Sequence, residues 1–526
     1  MQIKREDQLL QLADTGIIWD LIIAGGGATG LGVAVDAASR GFKTLLLEQS
    51  DFSKGTSSRS TKLVHGGVRY LAQGNFGLVK EALRERGLLI QNAPHLVRNE
   101  SFIIPNYNWG GGLFYAIGLK FYDLLAGKLS FGHSAYISRS EVIRRLPNIK
   151  QEGLVSGVLY HDGQFDDSRL AVNLAQTCLE QGGVALNYTR ITGLVKENSQ
   201  IKGVIAKDME TGISYTVKGR SIINATGVFV DELLRLDQPG SKPIVRPSQG
   251  IHLVLDKSFL GTKDALMIPK TEDGRVLFAV PWHDKIVIGT TDTPLDEHTL
   301  EPVALEEEIE FILRTAAMYL KRAPERKDVL SVFAGLRPLA APQTANAKTK
   351  EISRSHKLIV SDSGMITITG GKWTTYRQMG EDTVDRAIRT AALPHRNCKT
   401  KNMRIHGYQE RVNGTGHLFV YGQDADAIRA LKLENAIWEK PLHPRLPYTA
   451  AEVIWAVRQE MARTVEDVLA RRTRSLFLDA RAAMEMAPGV ARMVAEELKR
   501  DDAWEKEQVV SFLKVAAGYL LEQIKK

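Results

Sequence analysis

Three features of the sequence predict a chain that is part α/β and part α+β. An apolar strand near the start runs into a glycine-rich turn and a small-faced helix, the middle carries alternating strands, and the last part is helical. Ile17 to Ala24 is an apolar run broken only by Asp20, the pattern of a strand buried on both faces. It leads into Gly25-Gly26-Gly27-Ala28-Thr29-Gly30, which contains G-x-G-x-x-G. From Gly30 to Arg40 the spacing is helical, with Gly30, Ala34 and Ala38 on one stripe and Gly41 placed to end the helix. A second apolar strand, Thr44 to Leu47, ends at Glu48.

These parts compose a Rossmann-like nucleotide-binding unit. Gly25 permits the tight turn, Gly27 lets backbone approach a pyrophosphate, and Gly30 lets the helix sit close on the sheet. The helix N-terminus offers free N–H groups and a partial positive charge to the diphosphate. Glu48, 18 residues beyond Gly30, suits the adenosine ribose hydroxyls and so favours FAD or NAD over NADP. Two later glycine sites select FAD. One is Ala225-Thr226-Gly227 at the end of the strand from Ser221, and the other is Gly370-Gly371-Lys372 after the strand Met365 to Thr369. The helix that follows, Tyr376 to Ala387, would aim its N-terminus at the negative charge of a reduced flavin. Taken alone, each return is equally an ordinary strand–loop–helix turn.

The 526 residues exceed one ordinary domain. The boundaries expected are an FAD-binding domain from 17–95, 165–240 and 350–390, an inserted mixed-sheet substrate domain from 96–164 and 241–349, and a C-terminal helical cap domain from 395–526. Alternation at Arg275 to Pro281 and Lys285 to Thr291 supports the second, and helical spacing at Ala450 to Ala462 and Val509 to Ile524 the third. The formal net charge of +8 suits an anionic substrate or membrane surface. No Lys/Arg run favours nucleic acid. Cys178 and Cys398 stand far apart, with no metal or dithiol spacing, so no metal is expected. No apolar run approaches the ~18 residues of a spanning helix. The aromatic, apolar stretch Trp109 to Tyr122 suits either an interfacial membrane helix or a buried helix of the substrate domain.

After Glu48 comes Thr56-Ser57-Ser58-Arg59-Ser60-Thr61-Lys62-Leu63-Val64-His65-Gly66-Gly67-Val68-Arg69-Tyr70-Leu71. This segment resembles the FAD-dependent, respiratory-type glycerol-3-phosphate dehydrogenases nearly residue by residue. Asn224 to Gly227, Gly289 to Thr293, Gly335 to Leu339, Gly370 to Arg377 and the C-terminal Val457 to Met461 and Ala470 to Arg474 agree too, so the similarity runs from about residue 17 to about residue 480. The resemblance implies oxidation of sn-glycerol 3-phosphate to dihydroxyacetone phosphate by hydride transfer to flavin N5. It also implies a membrane quinone as acceptor, and a peripheral protein on the inner face of the cytoplasmic membrane. A homodimer is among the partners expected. No D-x-[DN]-x-[DN]-G calcium loop occurs, and the long insertion of the oxygen-using oxidases is not apparent.

Site residues follow from both readings. Thr56, Ser57, Ser58, Ser60 and Lys62 form a polar loop suited to the FAD diphosphate and ribityl chain, or equally a solvated Ser/Thr loop. His65 and Gly66 are expected near the isoalloxazine, with Gly227, Gly370, Gly371 and Thr374. Arg69 and Arg337 suit a phosphate dianion through their paired donors, and the resemblance makes both substrate-binding positions, together with Lys372; Tyr70, the aromatic neighbour of Arg69, is counted with the catalytic set. His252, in an alternating strand, is by itself most readily a core histidine. The resemblance makes it the leading base for the C2 hydroxyl, which an imidazole suits. Asp292 is expected to orient a base or bind a substrate hydroxyl. The alternative chemistry is a flavin-dependent oxidase or dehydrogenase of an amino or hydroxy acid, and a non-catalytic flavin-binding sensor is the alternative class.

Overall fold

The computed structural model describes residues 5–67, 75–108, 118–120, 122–123, 125, 131–269, 271–272, 274–340, 356–410 and 416–521. Two large sheets organise them. In the first, the order along the sheet is Lys357–Val360, Ile366–Thr369, Ser214–Asn224, Ile18–Ala24, Thr44–Leu47, Val184–Leu186. The five strands from Ile366–Thr369 to Val184–Leu186 run parallel. The strand Ile18–Ala24 lies mid-sheet, and Leu21, Ile22 and Ile23 are fully buried, which is why the sequence there is continuously apolar rather than alternating. Helices Ala28–Ser39, Asp167–Glu180 and Tyr376–Thr390 flank it. An antiparallel flap, Thr189–Glu197 and Gln200–Asp208, extends from the long strand Ser214–Asn224.

The second sheet is mixed. Its order is Thr293–Pro294, Val245–Asp256, Lys285–Gly289, Leu277–Trp282, Ala265–Ile268, Val97–Asn106, Ser156–Phe165, Leu63–Val64, with Ser331–Ala340 also on Val245–Asp256. The chain enters this sheet at Leu63, inside the 17–95 segment expected of the FAD-binding domain, because Leu63 and Val64 pair with Gln164 and Gly163. The polar loop before Leu63 therefore bridges the two sheets.

From Thr400 onward the chain is mostly helical, with a small hairpin at Pro441–His443 and Leu446–Thr449. Its core is alanine-rich along Ala480–Leu498, which lets the neighbouring helices approach closely. It is joined to the nucleotide layer by buried ion pairs as well as by apolar contact. Asp51 accepts from Arg471 and Arg472, and Arg169 pairs with Glu460, all nearly inaccessible. No helix among the described residues is long and apolar enough to cross a membrane. The Trp109 to Tyr122 stretch lies largely outside the described residues.

Candidate active site

The glycine turn sits where the sequence places it, and its geometry leaves no room for side chains. Gly25 has φ +107°, and a Cβ there would stand 2.6 Å from the Ala225 carbonyl oxygen. A Cβ on Gly30 would lie 1.9 Å from the Gly25 carbonyl oxygen. Both contacts are to backbone and cannot be relieved by a rotamer change. The helix Ala28–Ser39 starts at this turn, and Ser57 Oγ accepts from the Ala28 N–H at 2.9 Å. Glu48 accepts from the Gly26 N–H (2.6 Å) and the Ser50 N–H (2.8 Å). Burial pushes its carboxyl up, and the two N–H donors oppose that.

A continuous cavity of about 700 Å³ runs from this turn to the second sheet. One end is lined by Glu48, Gln49 and Thr189 to Thr192; Gly25, Gly27, Thr56, Ser57 and Gly227 line its length; Gly370, Gly371, Lys372 and Thr374 close over it with His65. The His65 N–H donates to Thr374 Oγ1 at 3.3 Å, fixing those two segments together. Phe102, Tyr160 and Phe278 form an apolar wall at the far end. The backbone cradle that a Cβ would fill, the helix N-terminus and the buried acid at the adenosine end fit FAD. When bound, FAD would be held by the turn at residues 25–30, by Glu48 and by the Thr56–Ser57 segment.

Strand register builds the reactive end. His252 pairs with Gly289 on one side and Phe333 on the other, while Gly250 pairs with Gly335 and Ser248 with Arg337. Alternation puts His252, Gly250 and Ser248 on one face with Arg337, Gly335 and Phe333. Gly250 leaves the space that the Arg337 guanidinium fills, since a Cβ would come within 2.3 Å of Nη2. Arg337 donates from Nη1 to Asp292 Oδ1 (3.3 Å) and the Gln249 carbonyl (3.3 Å), and from Nη2 to Thr290 Oγ1 (3.2 Å) and the Thr291 carbonyl (3.0 Å). His252 is buried, stacked on Phe333 at 4.8 Å, with Nε2 2.9 Å from Thr61 Oγ1 and Nδ1 without a partner among the described residues. Burial, the Lys62 ammonium and the Arg337 guanidinium hold its pKa well below the ordinary imidazole value.

Five expected residues lie off the cavity wall. Gly30 acts beneath the turn, by packing. Gly66 has Leu83 and the Tyr122 hydroxyl where a Cβ would stand, so it too is a packing position. Ser58 is buried, and its carbonyl accepts from Lys62 Nζ and Arg474. Lys62, read from sequence as a diphosphate ligand, points the other way: its ammonium is fully buried against Asp167 Oδ2 at 2.6 Å. Asp292 bonds Ser248 Oγ and Arg337, so it orients an arginine rather than a base. Arg69 and Tyr70 lie outside the described residues. The sequence reading passed over Arg59, Thr61 and Thr290, all on the cavity wall. Arg59 is braced by Glu301 Oε2 at 2.7 Å and the Ala334 carbonyl at 3.2 Å. Arg59 and Thr61 stood in plain view in the polar loop; their partners lie 191 to 275 residues away.

Residues 20–377 match the family model described as FAD dependent oxidoreductase, and residues 398–505 the one described as the C-terminal domain of alpha-glycerophosphate oxidase. The chain is 38% identical to the mitochondrial glycerol-3-phosphate dehydrogenase of Homo sapiens, over 98% of this chain and 76% of that protein. It is 39% identical to the enzyme of that name from Mesocricetus auratus, over 94% and 72%. The structure of glycerol-3-phosphate dehydrogenase from Bacillus halodurans complexed with FAD matches with a TM-score of 0.81 at 28% identity, covering 99% of each chain. The L-alpha-glycerophosphate oxidase of Mycoplasma pneumoniae with FAD bound shares the fold, with a TM-score of 0.55 at 15% identity over 74% and 98% of the chains. With its glycine cradle, its buried acid and the full-length similarity, the chain belongs to the FAD-dependent glycerol-3-phosphate dehydrogenase family.

Proposed function

We propose that this protein oxidises sn-glycerol 3-phosphate to dihydroxyacetone phosphate and passes the electrons to a membrane quinone. The observation that carries the reading is the placing of a braced guanidinium, Arg337, and a buried imidazole, His252, on one wall of the FAD cavity. FAD, when bound, supplies the hydride acceptor. Arg337, with Lys372 and Arg69, holds the phosphate; a fork of donors suits a dianion better than a point charge. Asp292 and Thr290 keep that fork from rotating. In the tautomer that carries its proton on Nδ1, the Thr61 hydroxyl donates a hydrogen bond to His252 Nε2, whose lone pair is then the basic one. His252 Nε2 then takes the proton from the C2 hydroxyl as the substrate displaces Thr61. The low proton affinity of the buried ring keeps it competent as a base at neutral pH, at some cost in driving force. The helix Tyr376–Thr390 starts at the cavity, and its N-terminus favours negative charge there.

The quinone acceptor and a peripheral station on the inner face of the cytoplasmic membrane belong to the same proposal. The support is the absence from the sequence of the insertion typical of oxygen-using oxidases, together with the positive net charge. Turnover of glycerol 3-phosphate with a short-chain ubiquinone analogue, compared with oxygen uptake, tests the acceptor. Rapid quinone reduction with slow oxygen uptake is expected. Oxygen uptake at the full turnover rate would refute it.

A further inference from the structure

We infer that Lys62 is a positioning residue for His252, acting through Thr61, through Phe333 and through its own buried charge. The inference rests on His252 being the base. Lys62 Nζ donates to Asp167 Oδ2 and to the Ser58 carbonyl, both at 2.6 Å. It also lies 5.1 Å from the centre of the Phe333 ring, 5.2 Å from Trp282 and 5.2 Å from Phe477. Those three rings come from the second sheet and the C-terminal helices, so one ammonium is seated where three parts of the chain meet. Phe333 is the ring on which His252 stacks, and Thr61, the residue before Lys62, is the hydrogen-bond partner of His252 Nε2.

Asp167 ties the same loop from behind. Its Oδ2 accepts from Ser60 N–H and Ser60 Oγ as well as Lys62, and its Oδ1 accepts from Arg474. A buried pair of this kind is poor evidence of stability, because desolvation offsets much of the attraction. Holding a loop in one register, and a charge at one place, is what it does well here. The charged groups that face His252 are Lys62 from the loop and Arg337, with Asp292 bonded to it, from the second sheet. Lys372 stands on the cavity wall, and Asp167 and Arg474 lie behind Lys62. Burial pushes the Lys62 ammonium down to about 7, against the pull of Asp167. It therefore carries its charge throughout the acid range in which His252 would gain a proton.

The test is the rate of anaerobic flavin reduction by saturating glycerol 3-phosphate, followed from pH 4.5 to 8 in the FAD-loaded protein. Saturation removes the ionisation of free substrate from the profile. In the native protein the acid limb is expected well below pH 6.5; a limb at 6.5 or above overturns the inference. Lys62→Met should move the limb up by about one pH unit, the effect of removing a nearby like charge. Lys62→Arg, which keeps the positive charge, should leave the limb where it is. A limb that moves in Lys62→Met and stays in Lys62→Arg marks an electrostatic positioning role. Equal shifts in the two variants, or slower reduction with an unmoved limb in both, would mean that Lys62 only supports the fold. If Lys62→Met does not retain flavin, Lys62→Gln, also uncharged, takes its place with the same expected upward shift. His252→Gln separates the two readings: a surviving limb and rate in that variant would refute the base, whereas loss of the limb there with no shift in the uncharged Lys62 variant would refute only the role of Lys62.

Discussion

Replacing Arg337 by Ala tests the reactive end of the cavity most severely. Its guanidinium makes hydrogen bonds to Asp292, Thr290 and two carbonyls, and its side chain is still 26% exposed toward the cavity. With both Nη groups already shared among Asp292, Thr290 and the two carbonyls, the gain counted is one charge-assisted hydrogen bond to the phosphate, worth about 1.5–3 kcal/mol. At about 1.4 kcal/mol per decade, kcat/KM for glycerol 3-phosphate should fall by roughly 10–10². Arg337→Lys should recover only part of this, because a point charge cannot reproduce the fork. Asp292→Asn keeps an acceptor for Nη1 while removing its charge, so a loss of about tenfold is expected. Steady-state kinetics with an artificial dye acceptor gives all three values. A kcat/KM for Arg337→Ala within threefold of the native value, in a protein with full flavin content, would refute the assignment of Arg337 to the phosphate.

Gly30→Ala should abolish FAD retention, since the added carbon stands 1.9 Å from the Gly25 carbonyl oxygen and backbone would have to yield by roughly 1.5 Å to reach an ordinary contact; flavin-to-protein absorbance after gel filtration reads this, and a fully yellow variant contradicts it. Asp51→Asn should destabilise the junction between the nucleotide layer and the C-terminal helices by about 3–5 kcal/mol, the usual cost of breaking a buried pair, because Arg471 and Arg472 both bond that carboxylate. Limited proteolysis and thermal melting should show early loss of the C-terminal part, and an unchanged melt would count against it. His406 bridges Glu180 (2.5 Å) and Asp424 (2.8 Å); burial pushes its imidazolium down, but the two carboxylates outweigh that and raise it to about 9. A raised pKa contributes stability that is fully present below about 6.5 and lost as pH rises through about 9, here about 3 kcal/mol. Melting temperature should therefore fall across that window in the native protein and stay flatter in His406→Gln; parallel profiles would remove His406 from the account.

The nucleotide end of the site was legible because its chemistry is local. A strand, a glycine turn, a helix and an acid lie within 32 residues, Ile17 to Glu48, and each acts on its sequence neighbours. The second sheet was harder to read for function, because His252 and Arg337 meet through strand register. No spacing announces that Ser248 pairs with Arg337; only the family resemblance brought His252 and Arg337 together. Lys62 was misread for the same reason. Its place in a Ser/Thr loop suggests a phosphate ligand, but its partner Asp167 is 105 residues away, and the fold turns the ammonium inward. The C-terminal arginines matched the family's helical cap, yet their partner Asp51 lies more than 400 residues back along the chain. A buried cation reads as a surface one until the anion that neutralises it is found.

The central claim, that an FAD-bearing cavity built for a phosphorylated alcohol carries out hydride removal, is tested most directly by one anaerobic spectrum. The purified protein is expected to show oxidised flavin absorbance that bleaches on addition of sn-glycerol 3-phosphate and stays unchanged with glycine, sarcosine or lactate. A flavin that remains oxidised with glycerol 3-phosphate, or that bleaches with an amino or hydroxy acid instead, would contradict it.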